Sequence, residues 1–279
     1  MQQIKALYKL SRPLSTLSGV LAVILGGFVA ETGAWGNILL AGLTTLLVSA
    51  SANAWNDYLD IEIDRVNQPK RPLPAGLITP NQARTFFIIF ALISLVVAYT
   101  INFTAFLIVL LSNILLTAYS RWLKSTVLLG NATVALISAL SPIFGGVAAG
   151  NVAPTSWIAL TIGCAIMGRE ILKTLADYDG DKQQNCRTIA TVWGQRTARI
   201  FFYIMLAITL IVMIIPFLLD VYHPVYAIIV ACGVYPVTFY ILFRVNSERT
   251  GPQLERLSQL MKYDFFVWFL AVFLGAALV

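Results

Sequence analysis

Long uncharged stretches separate short charged segments along this 279-residue chain. Five stretches are long enough for one membrane-spanning helix each, since a bilayer core of about 30 Å takes roughly 20 apolar residues. They cover 13–30, 32–56, 200–219, 221–243 and 265–279, the last with a helix that starts near Leu257. We expect each of these stretches to cross a membrane.

Two further stretches are long enough for two helices each. Residues 85–120 can turn near 100–102, and residues 125–168 can turn at 150–154, where Gly150 and Pro154 interrupt the apolar pattern. The pattern therefore predicts an all-α membrane protein with nine transmembrane helices.

The basic residues predict how these helices are oriented. All 19 Lys and Arg residues lie before helix 1 or around the connections 2–3, 4–5, 6–7 and 8–9, which places them on one side of the membrane. Cytoplasmic segments are enriched in Lys and Arg, so we expect a cytoplasmic N-terminus. The net charge of +6 then reflects topology and not a nucleic-acid partner.

Composition excludes several classes of protein. Hydrophobic residues make up 58% of the chain and charged residues 11%, where a soluble domain has about a quarter charged residues. One His and three well-separated Cys give no basis for a His-ligated zinc site, a Ser-His-Asp triad or a disulfide framework. Any chemistry has to come from the carboxylates.

Eight of the 13 acidic residues lie in two short segments, at the cytoplasmic ends of helices 2 and 6. In the first segment Asp57, Asp60 and Asp64 share one face if helix 2 continues through them, and Asn56 lies one turn before Asp60. Glu62 points away from this face, as a solvated charge.

The second segment places four charged residues at strict four-residue steps: Arg169, Lys173, Asp177 and Asp181. Each is one helical turn from the next. Gly180 predicts that the helix ends there, so that Asp181 comes from its last turn or from the following loop. Asp179 lies off this face and is interpreted as a surface charge.

Carboxylates packed on one face repel each other, and a divalent cation removes that conflict. Oxygen ligands without His or Cys suit Mg²⁺, which is usually completed by substrate phosphates and water. Basic residues suited to a diphosphate lie around the two segments, namely Lys70, Arg71, Lys124, Lys173, Lys182 and Arg187. Each also fits the positive-inside rule, and an ion site in a cation transporter would use the same carboxylates.

At these residues the chain resembles the UbiA superfamily of intramembrane prenyltransferases. The resemblance rests on Asn56-Asp57-x-x-Asp60-x-x-x-Asp64 followed by Arg71-Pro72, and on Lys173-x-x-x-Asp177-x-x-x-Asp181. Ser11-Arg12-Pro13, Tyr119 to Lys124, Gly130-Asn131 and Arg187-Thr188 through Gly194 are also similar in spacing. It covers essentially the whole chain and implies one prenyltransferase domain over 1–279.

The resemblance implies Mg²⁺-dependent transfer of a polyprenyl group from its diphosphate to an acceptor at the membrane. It implies helices around a central cavity open to the cytoplasmic side, in the plasma membrane. The implied Mg²⁺-diphosphate ligands, with Lys173 as a further catalytic residue, are Asn56, Asp57, Asp60, Asp64, Asp177 and Asp181. The implied substrate contacts are Lys70, Arg71, Lys124, Arg169, Lys182, Arg187 and Tyr119.

Acceptor identity stays open at this point. The segments around Lys173 and Asp181 are most similar to family members that attach a geranylgeranyl group to geranylgeranylglyceryl phosphate in ether-lipid synthesis. An aromatic precursor of a quinone or pigment is the alternative acceptor. Both would be membrane-associated, and the donor is a polyprenyl diphosphate in either case.

Overall fold

The structure is a computed structural model that describes residues 2–246 and 250–279, and every regular element in these ranges is helical. Arg249, one of the basic residues used above to predict orientation, lies outside the described residues. The α-helices are α1 (Gln2–Ser11), α2 (Pro13–Val29), α3 (Trp35–Leu59), α4 (Ile61–Asn67), α5 (Pro80–Ile101), α6 (Phe103–Ala118), α7 (Leu129–Ala149), α8 (Ser156–Ala176), α9 (Tyr178–Gln183), α10 (Ile189–Val192), α11 (Gln195–Leu218), α12 (Val225–Ile229), α13 (Tyr235–Arg244) and α14 (Gly251–Ala277).

Seven helical segments in the described residues are long and apolar enough to cross a membrane, and α1 and α2, bent by 58°, would make an eighth span. The long segments are α3, α5, α6 with the turn Tyr119–Leu123, α7, α11, α12 continued through α13, and α14. Helix α8 has 21 residues but carries Arg169, Glu170 and Lys173. The count of nine spans and the orientation of the helices stay predictions.

Many large apolar side chains are exposed on the long helices. Leu92 and Val96 of α5 are 57% and 65% exposed, and Ile211 of α11 is 59% exposed. Contiguous exposed apolar surface of this kind is typical of contact with another apolar phase, here the lipid chains. The chain is an integral membrane protein.

The two predicted turns are confirmed. Asn102 alone separates α5 from α6, and its extended backbone lets its side-chain oxygen accept a hydrogen bond from the Ala105 N–H at 2.8 Å. Asn102 Nδ2 also donates to the carbonyl of Val147 at 3.1 Å. Gly150 adopts a φ of 86° just after α7, a conformation that glycine reaches without steric cost.

The chain divides into two compact units. The first comprises Met1–Leu123 and Ser141–Ala153. Its apolar core includes Val23, Ala41 and Phe144. Helices α2 and α7 approach closely where Gly26 and Gly145 lie, because a Cβ at either position would meet the backbone of the other helix. Small residues at such crossings are typical of membrane helices.

The second unit comprises Lys124–Leu140 and Pro154–Val279. Its core gathers α8, α11 and α14 around Ile171, Phe202 and Leu254, all at most 1% exposed. Helix α12 continues into α13 through a π-helical turn, Val230–Val234. Such wide turns often occur at functional sites.

Candidate active site

The first acidic segment is interrupted at Asp60. Helix α3 ends at Leu59 and α4 begins at Ile61, so the expectation that helix 2 continues through the whole segment is wrong. Asp60 has φ −95° and ψ 10°, between the helical and extended regions. This sparsely populated conformation is common among active-site residues. The backbone leaves the helical conformation at this one residue, while the helical hydrogen bonds between its neighbours continue.

The second acidic segment is interrupted in the same way at Asp177. Helix α8 ends at Ala176, and Gly180 lies inside the short helix α9, so the predicted helix end near Gly180 is wrong. Asp177 has φ −90° and ψ 5°, nearly the same values as Asp60. Asp181 therefore comes from α9 and not from α8.

Both D-x-x-x-D motifs have matching backbone hydrogen bonds. The Asp60 N–H donates to the Asn56 carbonyl at 2.9 Å, and the Asp64 N–H donates to the Asp60 carbonyl at 2.8 Å. In the second motif the Asp177 N–H donates to Lys173 and the Asp181 N–H to Asp177, each at 2.8 Å. In each motif the first aspartate is the break and the second is held one turn beyond it.

Two arginines neutralise Asp57 and Asp64 of the first acidic segment. Asp57 is 1% exposed and Asp64 5%, and the Arg71 guanidinium lies 2.6 Å from Asp64 Oδ2 and 3.4 Å from Asp57 Oδ1. Arg12 pairs with the same Asp57 oxygen. A buried carboxylate is costly unless it is paired, and these two guanidinium groups compensate the two carboxylates.

Arg12 itself lies between α1 and α2, in the left-handed conformation with φ 48°. That conformation is uncommon for a residue with a side chain. It is followed by Pro13 at the first position of α2, where proline is well tolerated. The junction thus presents the Arg12 side chain to Asp57, which is 45 residues away in sequence.

Glu170 organises the cations of α8. It is 7% exposed, and its carboxylate lies 3.1 Å from Lys173 Nζ and 3.4 Å from an Arg169 nitrogen. The Arg169 Nε–H also donates to the Ser258 carbonyl of α14 at 3.1 Å. Lys173 is therefore held by Glu170, one turn before the Asp177 that sequence spacing pairs it with.

The carboxylates of the second motif form no salt bridge within the described residues. Asp177 is exposed and Asp181 half-buried. Burial raises the pKa of Asp181 to about 6; the negative charge of Asp177 raises it too, and a hydrogen bond from Thr188 lowers it. Burial and the neighbouring Asp177 both disfavour the ionised form of Asp181.

The remaining predicted site residues lie in two groups. Asn56, Tyr119 and Lys124 are half-buried, Asn56 in the last turn of α3 and Tyr119 at the start of the π-helical turn Tyr119–Leu123. Lys70, Lys182 and Arg187 are exposed. Lys182 Nζ lies 5.8 Å from the centre of the Tyr178 ring, a cation–π distance.

The described residues contain no group of three His, Cys, Asp or Glu side chains arranged to hold a metal ion. In the first motif, Asp57 and Asp64 are bound to arginine. The donor chemistry nevertheless suits Mg²⁺, since every candidate ligand offers oxygen. A cation would also relieve the repulsion that the Asp177 carboxylate exerts on the ionised form of Asp181. The residues present fit a divalent cation.

Sequence reasoning assigned no role to Arg12 and Glu170. Arg12 belongs to Ser11-Arg12-Pro13, which was noted only for its similarity of spacing. Glu170 follows Arg169 and precedes Lys173 by three residues, and this spacing could have indicated the ion pair. Gly251 was also missed: a Cβ there would meet the carbonyl oxygen of Ala176, next to Asp177.

The fold and the two motifs define an intramembrane enzyme with paired carboxylate segments. The sequence model of the UbiA prenyltransferase family matches residues 19–277, and the chain belongs to that family. It is therefore a transferase of prenyl groups, which confirms the resemblance drawn from the motifs.

Particular relatives narrow the comparison. The chain is 31% identical over 263 residues to a digeranylgeranylglyceryl phosphate synthase of Thermococcus sibiricus, with 94% of each chain covered. It is 30% identical to the enzyme of the same name from Pyrococcus horikoshii, with 98% of this chain and 97% of that one covered.

Solved structures share the fold along the whole chain. One, described as a digeranylgeranylglyceryl phosphate synthase in membranes, superimposes with a TM-score of 0.85 at 27% identity and full coverage of both chains. A UbiA homologue from Archaeoglobus fulgidus bound to GPP and Mg²⁺ has a TM-score of 0.79 at 24% identity, with 98% of each chain covered. The second likeness shows the fold alone.

Proposed function

We propose that this enzyme transfers a geranylgeranyl group from geranylgeranyl diphosphate to geranylgeranylglyceryl phosphate, a step of ether-lipid biosynthesis. The observation that carries the proposal is the pair of D-x-x-x-D motifs with one shared backbone geometry, broken at Asp60 and at Asp177. Relatives named digeranylgeranylglyceryl phosphate synthase that match nearly the whole chain support this choice of acceptor.

The residues that would hold Mg²⁺, and through it the donor diphosphate, are Asn56, Asp57, Asp60, Asp64, Asp177 and Asp181. When bound, Mg²⁺ supplies Lewis-acid stabilisation of the charge that develops on the departing diphosphate. Arg71, which pairs with Asp57 and Asp64 in the structure, is placed to exchange a carboxylate for a phosphate oxygen. Guanidinium groups bind either anion with the same planar geometry.

The lysines and the remaining arginines contact phosphate groups. Lys173 is a catalytic cation for the leaving diphosphate, and Glu170 holds it in place. Lys70, Lys124, Arg169, Lys182 and Arg187 bind the donor diphosphate or the phosphate of the acceptor. Tyr119 also contacts the substrate. Cations placed where negative charge develops lower the barrier to breaking the allylic C–O bond.

The membrane supplies the environment for the reaction. The carbocation that forms as the diphosphate leaves would react with water, so the apolar helices that bind the polyprenyl tail also exclude water. The distribution of basic residues supports an active site on the cytoplasmic side of the plasma membrane.

The test is product identification by mass spectrometry. The purified protein is incubated with geranylgeranyl diphosphate, Mg²⁺ and geranylgeranylglyceryl phosphate. In a parallel reaction an aromatic acceptor replaces the glyceryl phosphate. We expect the prenylated glyceryl phosphate. A prenylated aromatic ring would move the assignment to quinone or pigment synthesis, and absence of any Mg²⁺-dependent product would contradict prenyl transfer by this chain.

A further inference from the structure

A carboxyl group lies halfway along a membrane-spanning helix, away from both D-x-x-x-D motifs. Asp264 is the central residue of α14, which runs from Gly251 to Ala277. At 1.5 Å per residue it lies about 20 Å along the helix from Gly251. Ionisable groups inside a membrane are costly and are therefore candidates for a function.

Asp264 borders a small cavity inside the second unit. Helices α8, α11, α13 and α14 line it, together with Val234 from the π-helical turn. The centres of water molecules have about 30 Å³ available there, and a water molecule needs roughly 10–15 Å³ measured this way. The lining is otherwise apolar apart from Thr209 and Thr238, both buried.

The hydroxyl protons of both threonines are already donated in hydrogen bonds. Thr238 Oγ1 donates to Asp264 Oδ2 at 3.3 Å, and Thr209 Oγ1 donates to the Met205 carbonyl at 2.7 Å. Each hydroxyl keeps only the capacity to accept. Asp264 Oδ1 is buried and has no hydrogen-bond partner among the described residues. The cavity therefore presents three oxygen atoms, each able to form a further hydrogen bond.

No Lys, Arg or His is among the described residues that line the cavity. An ionised carboxylate without a counter-charge would be very costly in this apolar surrounding, and the ordinary outcome is that the group stays neutral. A neutral carboxylic acid has one proton to donate, which requires an acceptor at Oδ1. Water can accept that proton and donate its own two to the threonine oxygens.

We propose that this cavity is a water-binding site within the membrane, in which one or two water molecules join Asp264, held as a neutral acid, to Thr209 and Thr238. The volume excludes a lipid head group. A Na⁺ ion bound to an ionised Asp264 would use the same three oxygens, so the test separates the two ligands.

The first measurement is X-ray hydroxyl-radical footprinting of the full-length protein in lipid nanodiscs, read by mass spectrometry. Radicals formed from bound water oxidise the side chains beside it, and Met213 and Met261 line the cavity although both are buried. We expect both to be oxidised in the wild type and several-fold less in Asp264→Leu. Met205, on α11 but outside the cavity lining, is the control.

Asp264→Asn guards against misfolding in the leucine variant, because the amide offers one donor and one acceptor in nearly the same places. We expect it to keep the wild-type labelling of Met213 and Met261. Absence of labelling in the wild type, or equal labelling in the wild type and Asp264→Leu, would overturn the water site.

Two further readouts test the neutral acid against the cation. The infrared carbonyl band of a protonated carboxylic acid should be present in the wild type, shift in D₂O and be missing in Asp264→Asn. Thermal unfolding should be the same in Na⁺ and in choline. Stabilisation by Na⁺ that disappears in Asp264→Asn would assign the cavity to a cation and contradict the proposal.

Discussion

The two D-x-x-x-D segments share a backbone and differ in their electrostatics. Each has its break at the first aspartate and the same pair of backbone hydrogen bonds. In the first unit, however, the buried carboxylates are matched by arginines, whereas in the second Asp177 is exposed and Lys173 is engaged by Glu170. Similar local geometry is therefore combined with different ion-pair partners.

The difference suggests that the two motifs have different roles. In the first segment Asp57 and Asp64 are paired before any substrate arrives, so a cation that binds them would have to displace Arg12 or Arg71. In the second, neither Asp177 nor Asp181 forms a salt bridge among the described residues, and Lys173 is held by Glu170. We infer that the second motif attracts the cation and that the first orders the site.

Metal removal should have the largest effect, because in the proposed mechanism Mg²⁺ stabilises the charge on the departing diphosphate. We expect EDTA to reduce prenyl transfer to the background rate and Mg²⁺ to restore it, measured as product formation by mass spectrometry. Since bound metal typically contributes several kcal/mol to transition-state stabilisation, the loss should exceed about 1,000-fold. Full turnover in EDTA would remove Mg²⁺ from the mechanism.

Removing one carboxylate from either motif should come next. We expect Asp57→Ala and Asp177→Ala each to lower kcat/KM at least about 100-fold, the scale of losing one group that stabilises transition-state charge. Asp179→Ala is the matched control, because Asp179 is exposed and lies between the two motif aspartates. Retained turnover in both motif variants would contradict their shared role.

Glu170→Gln tests whether the buried carboxylate positions Lys173 and Arg169. We expect a roughly 10-fold rise in KM for the donor, equivalent to about 1.4 kcal/mol, with a smaller change in kcat. Glu62→Gln is the control: Glu62 and Arg65 form the same i,i+3 pair but are 73% and 57% exposed. Such exposed pairs contribute little, so this variant should stay within about twofold of wild type. Equal effects of the two substitutions would argue against positioning.

The smallest effect should appear in stability and should separate the motifs directly. Asp57→Asn leaves Arg12 and Arg71 without their shared partner, and we expect a loss of about 1–3 kcal/mol, visible as a lower Tm in detergent. Asp177→Asn removes an exposed charge that forms no salt bridge among the described residues, so its Tm should match wild type. A larger loss of stability for Asp177→Asn than for Asp57→Asn would contradict the view that the first segment is the one stabilised by ion pairs.

Periodicity and composition were sufficient to predict an all-helical membrane protein and its two turns between helices. The break at Asn102 and the turn after α7 follow from local chain chemistry, which a single sequence displays. The breaks at Asp60 and Asp177 were missed because both keep helical hydrogen bonds while only φ and ψ change. No residue type signals such a change.

The ion pairs were harder to predict because they depend on distant parts of the chain. Arg12 reaches Asp57 across 45 residues, so no spacing rule connects them. Lys173 has carboxylates within reach on both sides, and burial of Glu170 decides the pairing seen in the structure. A helix after the turn at 150–154 was predicted and is present as α8, but its three charged residues keep the ninth span a prediction.

The contact of Gly251 with the end of α8 has a consequence for the tolerance of this chain to mutation. A Cβ at position 251 would meet the carbonyl oxygen of Ala176, the residue before Asp177, and backbone atoms cannot move aside as a flexible side chain can. In a saturation scan selected for activity, position 251 should therefore accept no replacement, not even alanine. Position 180 should accept many more replacements, although Gly180 lies between Asp177 and Asp181, because a Cβ there meets nothing within 4 Å.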